Sequence, residues 1–184
     1  MSRGRSVFLT IGRGGSVFLT IDSGYFRIDP PLLSAKTRPY LGKTVTHIGG
    51  PGAGQVAKAA NQIMAAAQMV AMGELIILAQ KAGADPSKVV QAIRGGAVQY
   101  WTLDIKSPRL LAGNREPGFK ASLQAKDLAI ILETARQYGA ALPAISINAQ
   151  LFNAMLQLGM GELDKSAVIG VIEALSGTRL VVDG

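Results

Sequence analysis

The chain has 184 residues, enough for one domain with a sizeable core or for one domain with an appendage. Apolar residues make up 48% of it and aromatic residues only 5%, which argues against general disorder and favours helices over a β-sandwich. The absence of cysteine excludes disulfides and thiolate chemistry, and a single histidine excludes a His-rich metal site, so we expect no metal.

The net charge of +7 is concentrated at the N-terminal end of the chain. Residues 1–46 carry seven basic and two acidic side chains, whereas the other 138 residues carry twelve basic and ten acidic ones. An excess confined to one end, without a basic patch interleaved with aromatic residues, argues against binding to nucleic acid. We therefore expect no nucleic-acid partner.

Residues 1–42 are predicted to form an atypical N-terminal segment. A nine-residue stretch that begins at Arg3 recurs almost unchanged from Arg13, and both copies are rich in β-branched and aromatic residues. The glycine-rich tetrapeptide between the copies predicts a β-hairpin. Residues 22–41, which contain three prolines, then have the composition of a linker.

Residues 43–180 have the pattern of an all-α domain. A short strand at 44–48 and a glycine turn at 49–54 are followed by capping residues, closing glycines and helical periodicity. These signals predict five or six helices, at about 55–82, 86–95, 101–111, 121–138, 143–158 and 164–175. Apolar residues recur on nearly every side of the first and longest helix, which predicts that it is central and buried.

Two stretches have some features of membrane or targeting segments. Residues 63–79 are apolar, but Gln68, Gly73 and Glu74 interrupt them, which favours a buried core helix over a membrane span. The arginine-rich N-terminus faintly resembles an organelle transit peptide, and the glycine-rich residues 12–15 argue against a secretory signal. We expect a cytoplasmic protein without a membrane partner.

The glycine turn before the longest helix has two interpretations. Residues 52–57 match GxGxxA, a dinucleotide-binding fingerprint that needs a second parallel strand and an acidic residue about 20 positions on. Glu74 stands near that distance, but it falls within a continuing helical pattern, which disfavours this interpretation. Alternatively, Lys58, Asn61 and Gln62 share one helix face, where they either form a solvated stripe or serve a site.

The residues from Gly49 onward resemble the GxxGxGxxxKxxN signature of the β-hydroxyacid dehydrogenases, which include the 3-hydroxyisobutyrate dehydrogenases. Lys58 and Asn61 stand at the lysine and asparagine of that signature. A second family signature, KDLxxA, is similar to the segment that begins at Lys126, although Ile131 replaces the usual alanine. The resemblance covers about residues 43–177, and among the subfamilies it is greatest to the tartronate semialdehyde (2-hydroxy-3-oxopropionate) reductases.

This resemblance implies a fold, a reaction and a set of site residues. The fold would be the helical C-terminal domain of the 6-phosphogluconate-dehydrogenase-like type, with the hairpin as an appendage. The reaction would be the NAD(P)-dependent reduction of tartronate semialdehyde to glycerate, with Lys58 as the catalytic general acid/base. The other implied positions bind the substrate (Gly49, Gly50 and Asn61) or the NAD or NADP cofactor (Lys126 and Phe119).

The resemblance also implies limits. The N-terminal Rossmann fingerprint of the family, GxGxMGxxMAxNL, has no counterpart in this sequence. We therefore expect the chain by itself to bind its cofactor weakly and to have little or no activity. A homo-oligomer formed through the helical domain is expected, and the alternative to an enzyme is a non-catalytic dimerisation module or a truncated gene product. For Phe119, packing in the core is the alternative to lining the nicotinamide pocket.

Overall fold

The computed structural model describes residues 5–11, 15–21, 44–49 and 52–182. The chain divides into two compact units, one up to Asn61 and one from Gln62 onward. Three strands and the start of the longest helix belong to the first unit, and the remaining helices belong to the second. The all-α character predicted for the body of the chain is confirmed, since every element described after residue 52 is helical.

The first unit contains an antiparallel sheet with the strand order β2-β1-β3. Its strands are β1 (Arg5–Ile11), β2 (Gly15–Ile21) and β3 (Thr44–Gly49). β1 and β2 are the two copies of the tandem repeat, paired so that Phe8 stands opposite Phe18, which confirms the predicted hairpin. The sequence also predicted β3, but not its pairing with β1, which joins segments separated by more than twenty residues.

The helices follow the order expected from the sequence. They are α1 (Ala53–Lys81), α2 (Pro86–Ile93), α3 (Trp101–Leu111), α4 (Ala121–Tyr138), α5 (Pro143–Gln157) and α6 (Ile169–Leu175). A 3-10 helix, Lys165–Val168, precedes α6 where the sequence predicted one continuous helix. The predicted cap at Asp164 is present, and its carboxylate accepts a hydrogen bond from the backbone N–H of Ser166.

Local capping chemistry explains several of these boundaries. The Asp85 carboxylate accepts hydrogen bonds from the N–H groups of Ser87, at 2.8 Å, and Lys88, at 3.3 Å, and Pro86 occupies the first helical position. Gly139 ends α4 in the left-handed region, with φ of +66°, where a side chain would be strained. The sequence therefore predicts these boundaries well, because the signals lie within a few residues of each helix end.

The longest helix, predicted to be central and buried, is buried on one face and exposed on the other. Ala66, Met69, Met72 and Ile76 are buried, whereas the side chain of Leu78 is 70% exposed. α1 is long and apolar enough to cross a membrane, with a mean hydropathy of 1.6 over its most apolar 18 residues, but half of that window is buried within the protein. Apolar residues on the exposed face, such as Leu78, therefore make the helix look apolar all round in the sequence without adding to the core.

The core of the second unit is formed by large apolar side chains from several helices. The fully buried ones include Leu103, Leu110, Leu128, Phe152, Met155 and Ile169. A close approach between α1 and α6 occurs at Gly73, where an added Cβ would lie 2.8 Å from Cδ1 of Ile172 and 3.3 Å from the Ile169 Cα. The absence of a side chain at Gly73 thus lets the two helices pack closely.

Candidate functional site

The predicted catalytic lysine lies near the start of α1. Gly52, with φ of +87°, forms the turn into this helix, a conformation that favours glycine. Lys58 and Asn61 follow one turn apart, and both are exposed. Of the two glycines predicted to bind substrate, Gly49 ends β3, and Gly50 lies outside the described residues.

The dinucleotide-fingerprint interpretation of the same turn is wrong. It requires a parallel strand after the helix and an acidic residue at its end. Glu74 instead lies inside α1, and the next described element is α2. The glycines at 52–54 therefore start a long helix outside any Rossmann unit.

Gln62 does not form part of a solvated stripe, because its side chain is buried in the second unit. Its Nε2 donates a hydrogen bond to Oδ2 of Asp127, at 2.7 Å. Its backbone carbonyl accepts a hydrogen bond from Nε2 of Gln124, at 3.4 Å. α1 and α4 are thus joined by buried polar contacts, which are costly to break in an apolar core.

The two charged residues of the KDL segment have different surroundings. Asp127 is buried and accepts the hydrogen bond from Gln62. The Lys126 side chain is 59% exposed, and its ammonium lies 3.2 Å from Oδ1 of Asp127. Asp127 therefore pairs with the ammonium of Lys126, and the exposed side chain of Lys126 stays accessible to an anionic ligand.

Phe119 is half-buried and is not among the fully buried side chains of the core. The Lys165 ammonium lies 4.8 Å from the centre of its ring, at cation–π distance. The backbone N–H of Lys165 also donates a hydrogen bond to the Phe119 carbonyl, at 2.9 Å. The ring is thus held beside a charged group, with part of its surface open to solvent.

Asp164 holds the loop that carries Phe119. Oδ2 of Asp164 accepts hydrogen bonds from Nζ of Lys106, at 2.7 Å, and from the N–H groups of Gly118, at 2.8 Å, and Phe119, at 3.2 Å. Oδ1 accepts from the N–H and the hydroxyl of Ser166, at 3.0 and 2.7 Å. Burial by itself would raise the pKa of Asp164, but these hydrogen bonds, led by that from Lys106, hold it well below its usual range.

Lys165 was not singled out by the sequence. Burial, followed by repulsion from Lys106, lowers the pKa of Lys165 to about 8, although Asp164 and Asp127 act in the opposite direction. A single lysine between Asp164 and Ser166 gives no signal in the sequence that its ammonium is buried. The burial arises because Phe119, Gln124 and Lys106, from distant parts of the chain, come together around Lys165 in the fold.

A separate cleft of about 450 Å³ lies near the C-terminal end, against α6. It is lined by Arg115 and Glu173, which form an ion pair at 2.9 Å, and by residues 178–180. The Glu173 carboxylate also accepts a hydrogen bond from the Leu180 N–H, at 2.9 Å. These contacts attach the C-terminal segment to α6.

The arrangement suits an organic anion or a dinucleotide better than a metal ion. Within residues 52–182, no group of three or more His, Asp or Glu side chains is placed to hold a metal. The half-buried ring of Phe119 offers an apolar surface to a flat aromatic group, and exposed Lys126 offers a positive charge to a phosphate. These residues therefore fit a nicotinamide dinucleotide.

The predicted site residues are divided between the two units. Lys58 and Asn61 belong to the first unit, whereas Phe119 and Lys126 belong to the second.

Comparisons with known proteins point to one family. Residues 52–172 match the family described as NAD-binding of NADP-dependent 3-hydroxyisobutyrate dehydrogenase. The chain is 38% identical over 140 residues to 2-hydroxy-3-oxopropionate reductase of Escherichia coli (strain K12), covering 76% of this chain and 48% of that protein. It is 37% identical over 154 residues to the probable 3-hydroxyisobutyrate dehydrogenase-like 1, mitochondrial, of Arabidopsis thaliana, covering 84% and 44%.

Solved structures show the same fold. The crystal structure of 3-hydroxyisobutyrate dehydrogenase from Salmonella typhimurium matches with a TM-score of 0.70 and 25% identity, over 77% of this chain and 50% of that one. The Mycobacterium tuberculosis 3-hydroxyisobutyrate dehydrogenase, solved with L-serine, matches with a TM-score of 0.66 and 29% identity, over 78% and 52%. The chain thus spans about half the length of the relatives that it matches.

Proposed function

Because the chain belongs to the NAD(P)-dependent β-hydroxyacid dehydrogenase family, we propose that it supplies the helical, lysine-bearing half of an oxidoreductase that reduces tartronate semialdehyde to glycerate. The observation that carries this proposal is the match of residues 52–172 to the family, together with the 38% identity to a 2-hydroxy-3-oxopropionate reductase. A dehydrogenase of 2-(hydroxymethyl)glutarate from Eubacterium barkeri is 30% identical, so the substrate must be tested among several hydroxyacids.

In the proposed mechanism, Lys58 is the general acid/base. When bound, the nicotinamide cofactor supplies the hydride for reduction or accepts it during oxidation. In reduction, the Lys58 Nζ donates a proton to the oxygen of the substrate as that oxygen gains negative charge. In oxidation, the neutral amine takes the hydroxyl proton. The exposure of Lys58 at the start of α1 supports this role, because its ammonium can be reached by a small substrate.

The remaining predicted site residues would bind and orient. Asn61, one turn after Lys58, would hydrogen-bond the substrate, and the backbone at Gly49 and Gly50 would let the substrate lie close to the chain. Phe119 and Lys126 would contact the cofactor. Their support is the half-buried ring, the exposed ammonium and the description of the matched family as NAD-binding.

A chimera tests the proposal. Residues 43–184 of this chain replace the corresponding half of the E. coli 2-hydroxy-3-oxopropionate reductase. Oxidation of NADH and NADPH is then followed with tartronate semialdehyde and with 2-formylglutarate, the aldehyde that corresponds to 2-(hydroxymethyl)glutarate. We expect reduction of tartronate semialdehyde, with a loss of roughly 10²–10⁴-fold in kcat in the Lys58→Met variant. Lys88→Met is the matched control, since Lys88 is an 81% exposed lysine on α2.

Two outcomes would contradict the proposal in different ways. If the Lys58→Met chimera folds, binds the cofactor and keeps full activity, Lys58 is not the general acid/base. A chimera that prefers 2-formylglutarate would disprove the proposed substrate. In parallel, the unmodified chain is titrated with NADPH. Binding would favour the enzyme, whereas self-association without binding would favour a dimerisation module.

We also infer that the helical unit forms a homo-oligomer. Several large apolar side chains on its helices are more than half exposed, namely Met64, Leu78, Ile130, Ile147 and Leu175. Exposed apolar surface of this kind is typical of interfaces between protein subunits.

A further inference from the structure

Lys165 is a half-buried lysine whose ammonium lies beside an aromatic ring and a neutral amide. Its Nζ lies 4.8 Å from the centre of the Phe119 ring and 3.4 Å from Oε1 of Gln124. Among residues 52–182, no carboxylate lies within ion-pairing distance of this ammonium. A buried ammonium without a carboxylate partner loses hydration that nothing replaces in full, which favours the neutral amine.

The two nearby carboxylates are occupied by other groups. Asp164 pairs with Lys106 at 2.7 Å, and Asp127 accepts from Gln62 at 2.7 Å and pairs with Lys126. Lys106 remains close enough to repel the Lys165 ammonium. Burial and the repulsion from Lys106 outweigh the attraction of Asp164 and Asp127, so that the pKa of Lys165 falls to about 8.

We propose that Lys165 is a nucleophilic amine that forms an imine with small aldehydes bearing a carboxylate or a phosphate. A lysine beside a second cationic lysine, in partly desolvated surroundings, is a known arrangement for this chemistry. The preference for an anion follows from the charges beside the Phe119 loop, since Lys106 and Arg109 both lie against Gly118, next to the single carboxylate of Asp164.

The chemical step balances without any further reactant. The lone pair of Nζ adds to the aldehyde carbon, and the carbonyl π electrons move to oxygen, giving a carbinolamine after proton transfer. The carbinolamine then loses its oxygen as water, leaving a C=N bond to Nζ. The imine is reversible, and cyanoborohydride traps it by delivering a hydride to the imine carbon, which gives a stable secondary amine.

The expected selectivity can be worked out for pH 7. An amine with a pKa of about 8 is roughly 9% neutral, against about 0.03% for an ordinary lysine near 10.5, a difference of about 300-fold. The less basic amine is intrinsically a weaker nucleophile, which offsets part of this gain. We therefore expect Lys165 to react at least about tenfold faster than an exposed lysine.

The test uses the full chain with glyoxylate, a carboxylate-bearing aldehyde, and cyanoborohydride at pH 7. Peptide mass spectrometry measures the initial rate of labelling at each lysine. Lys88, whose side chain is 81% exposed, serves as the internal reference. We expect a Lys165 to Lys88 ratio of ten or more at pH 7, falling to about one at about pH 10.5, the ordinary pKa of a lysine, where the lowered pKa of Lys165 gives little further advantage. The ratio cancels the pH dependence of the reagent.

Two comparisons separate the parts of the proposal. Glycolaldehyde, which is neutral, should give a smaller Lys165 to Lys88 ratio than glyoxylate. Gln124→Glu, which places a carboxylate at the 3.4 Å contact, should lower the ratio at pH 7 and leave it unchanged at pH 10.5. A ratio near one at pH 7 in the folded wild-type chain would overturn the proposal, and equal ratios for both aldehydes would overturn the anion preference. Neither result depends on the proposed reductase activity, since no nicotinamide cofactor is present.

Discussion

Replacing Asp164 with alanine should destabilise the helical unit more than removing its ion-pair partner. Asp164 is 1% exposed and accepts five hydrogen bonds, from Lys106, Gly118, Phe119 and, twice, Ser166. Asp164→Ala leaves all five donors without their acceptor and leaves the Lys106 ammonium buried and unpaired. Leaving the Lys106 ammonium buried without its counter-charge costs about 3–5 kcal/mol, or about 6–20 °C in Tm for a chain of this size.

Lys106→Met should cost less, because the Asp164 carboxylate keeps four of its five donors. Losing one hydrogen bond to a charged group costs about 1.5–3 kcal/mol, and the methionine restores part of the packing. Glu133→Ala is the control, since Glu133 pairs with Arg136 at 2.6 Å on the surface and should contribute at most about 1 kcal/mol. Urea unfolding followed by far-UV circular dichroism measures all three.

The effect of Asp164→Ala should also depend on pH. The pKa of Asp164 is lowered in the folded state, so its stabilisation is complete above the unfolded value of about 3.9 and is lost as the pH falls towards the folded value. The difference between wild type and Asp164→Ala should therefore narrow below about pH 4. Equal costs for Asp164→Ala and Lys106→Met, or a difference that stays constant on acidification, would refute this account of the buried pair.

Two further variants test the packing of α1. Gly73→Ala should destabilise the chain by about 1–3 kcal/mol in the same unfolding assay, although alanine has the better helix propensity. The reason is that the added Cβ would lie 2.8 Å from the Ile172 side chain and 3.3 Å from the Ile169 backbone. An unchanged or higher stability would show that α1 and α6 can move apart at little cost. Leu78→Lys should shift the proposed oligomer towards monomer in analytical ultracentrifugation, because Leu78 is 70% exposed, and a wild-type chain that is already monomeric would contradict the proposed interface.

Local signals in the sequence were sufficient for most of the secondary structure. The repeat predicted the β1–β2 hairpin, Asp85-Pro86 predicted the start of α2, and Gly139 predicted the end of α4. Each of these signals acts through hydrogen bonds or backbone dihedrals within a few residues, so no knowledge of the fold was needed. Motif spacing around Lys58 likewise identified the family, which the comparisons confirm.

Tertiary structure decided the surroundings of the polar residues. The helical spacing of Gln62 from Lys58 allowed a solvated stripe. In the fold, however, the Gln62 side chain is buried and donates a hydrogen bond to Asp127, which lies 65 positions away in the chain. Asp164 meets Lys106 across 58 positions, and Lys165 lies against Phe119 across 46. Burial and pKa depend on desolvation and on charges brought together from distant segments, whereas caps and periodicity depend on neighbours in the chain. The sequence therefore determined the helices and the family, and the fold determined which of their charged groups are buried, paired or reactive.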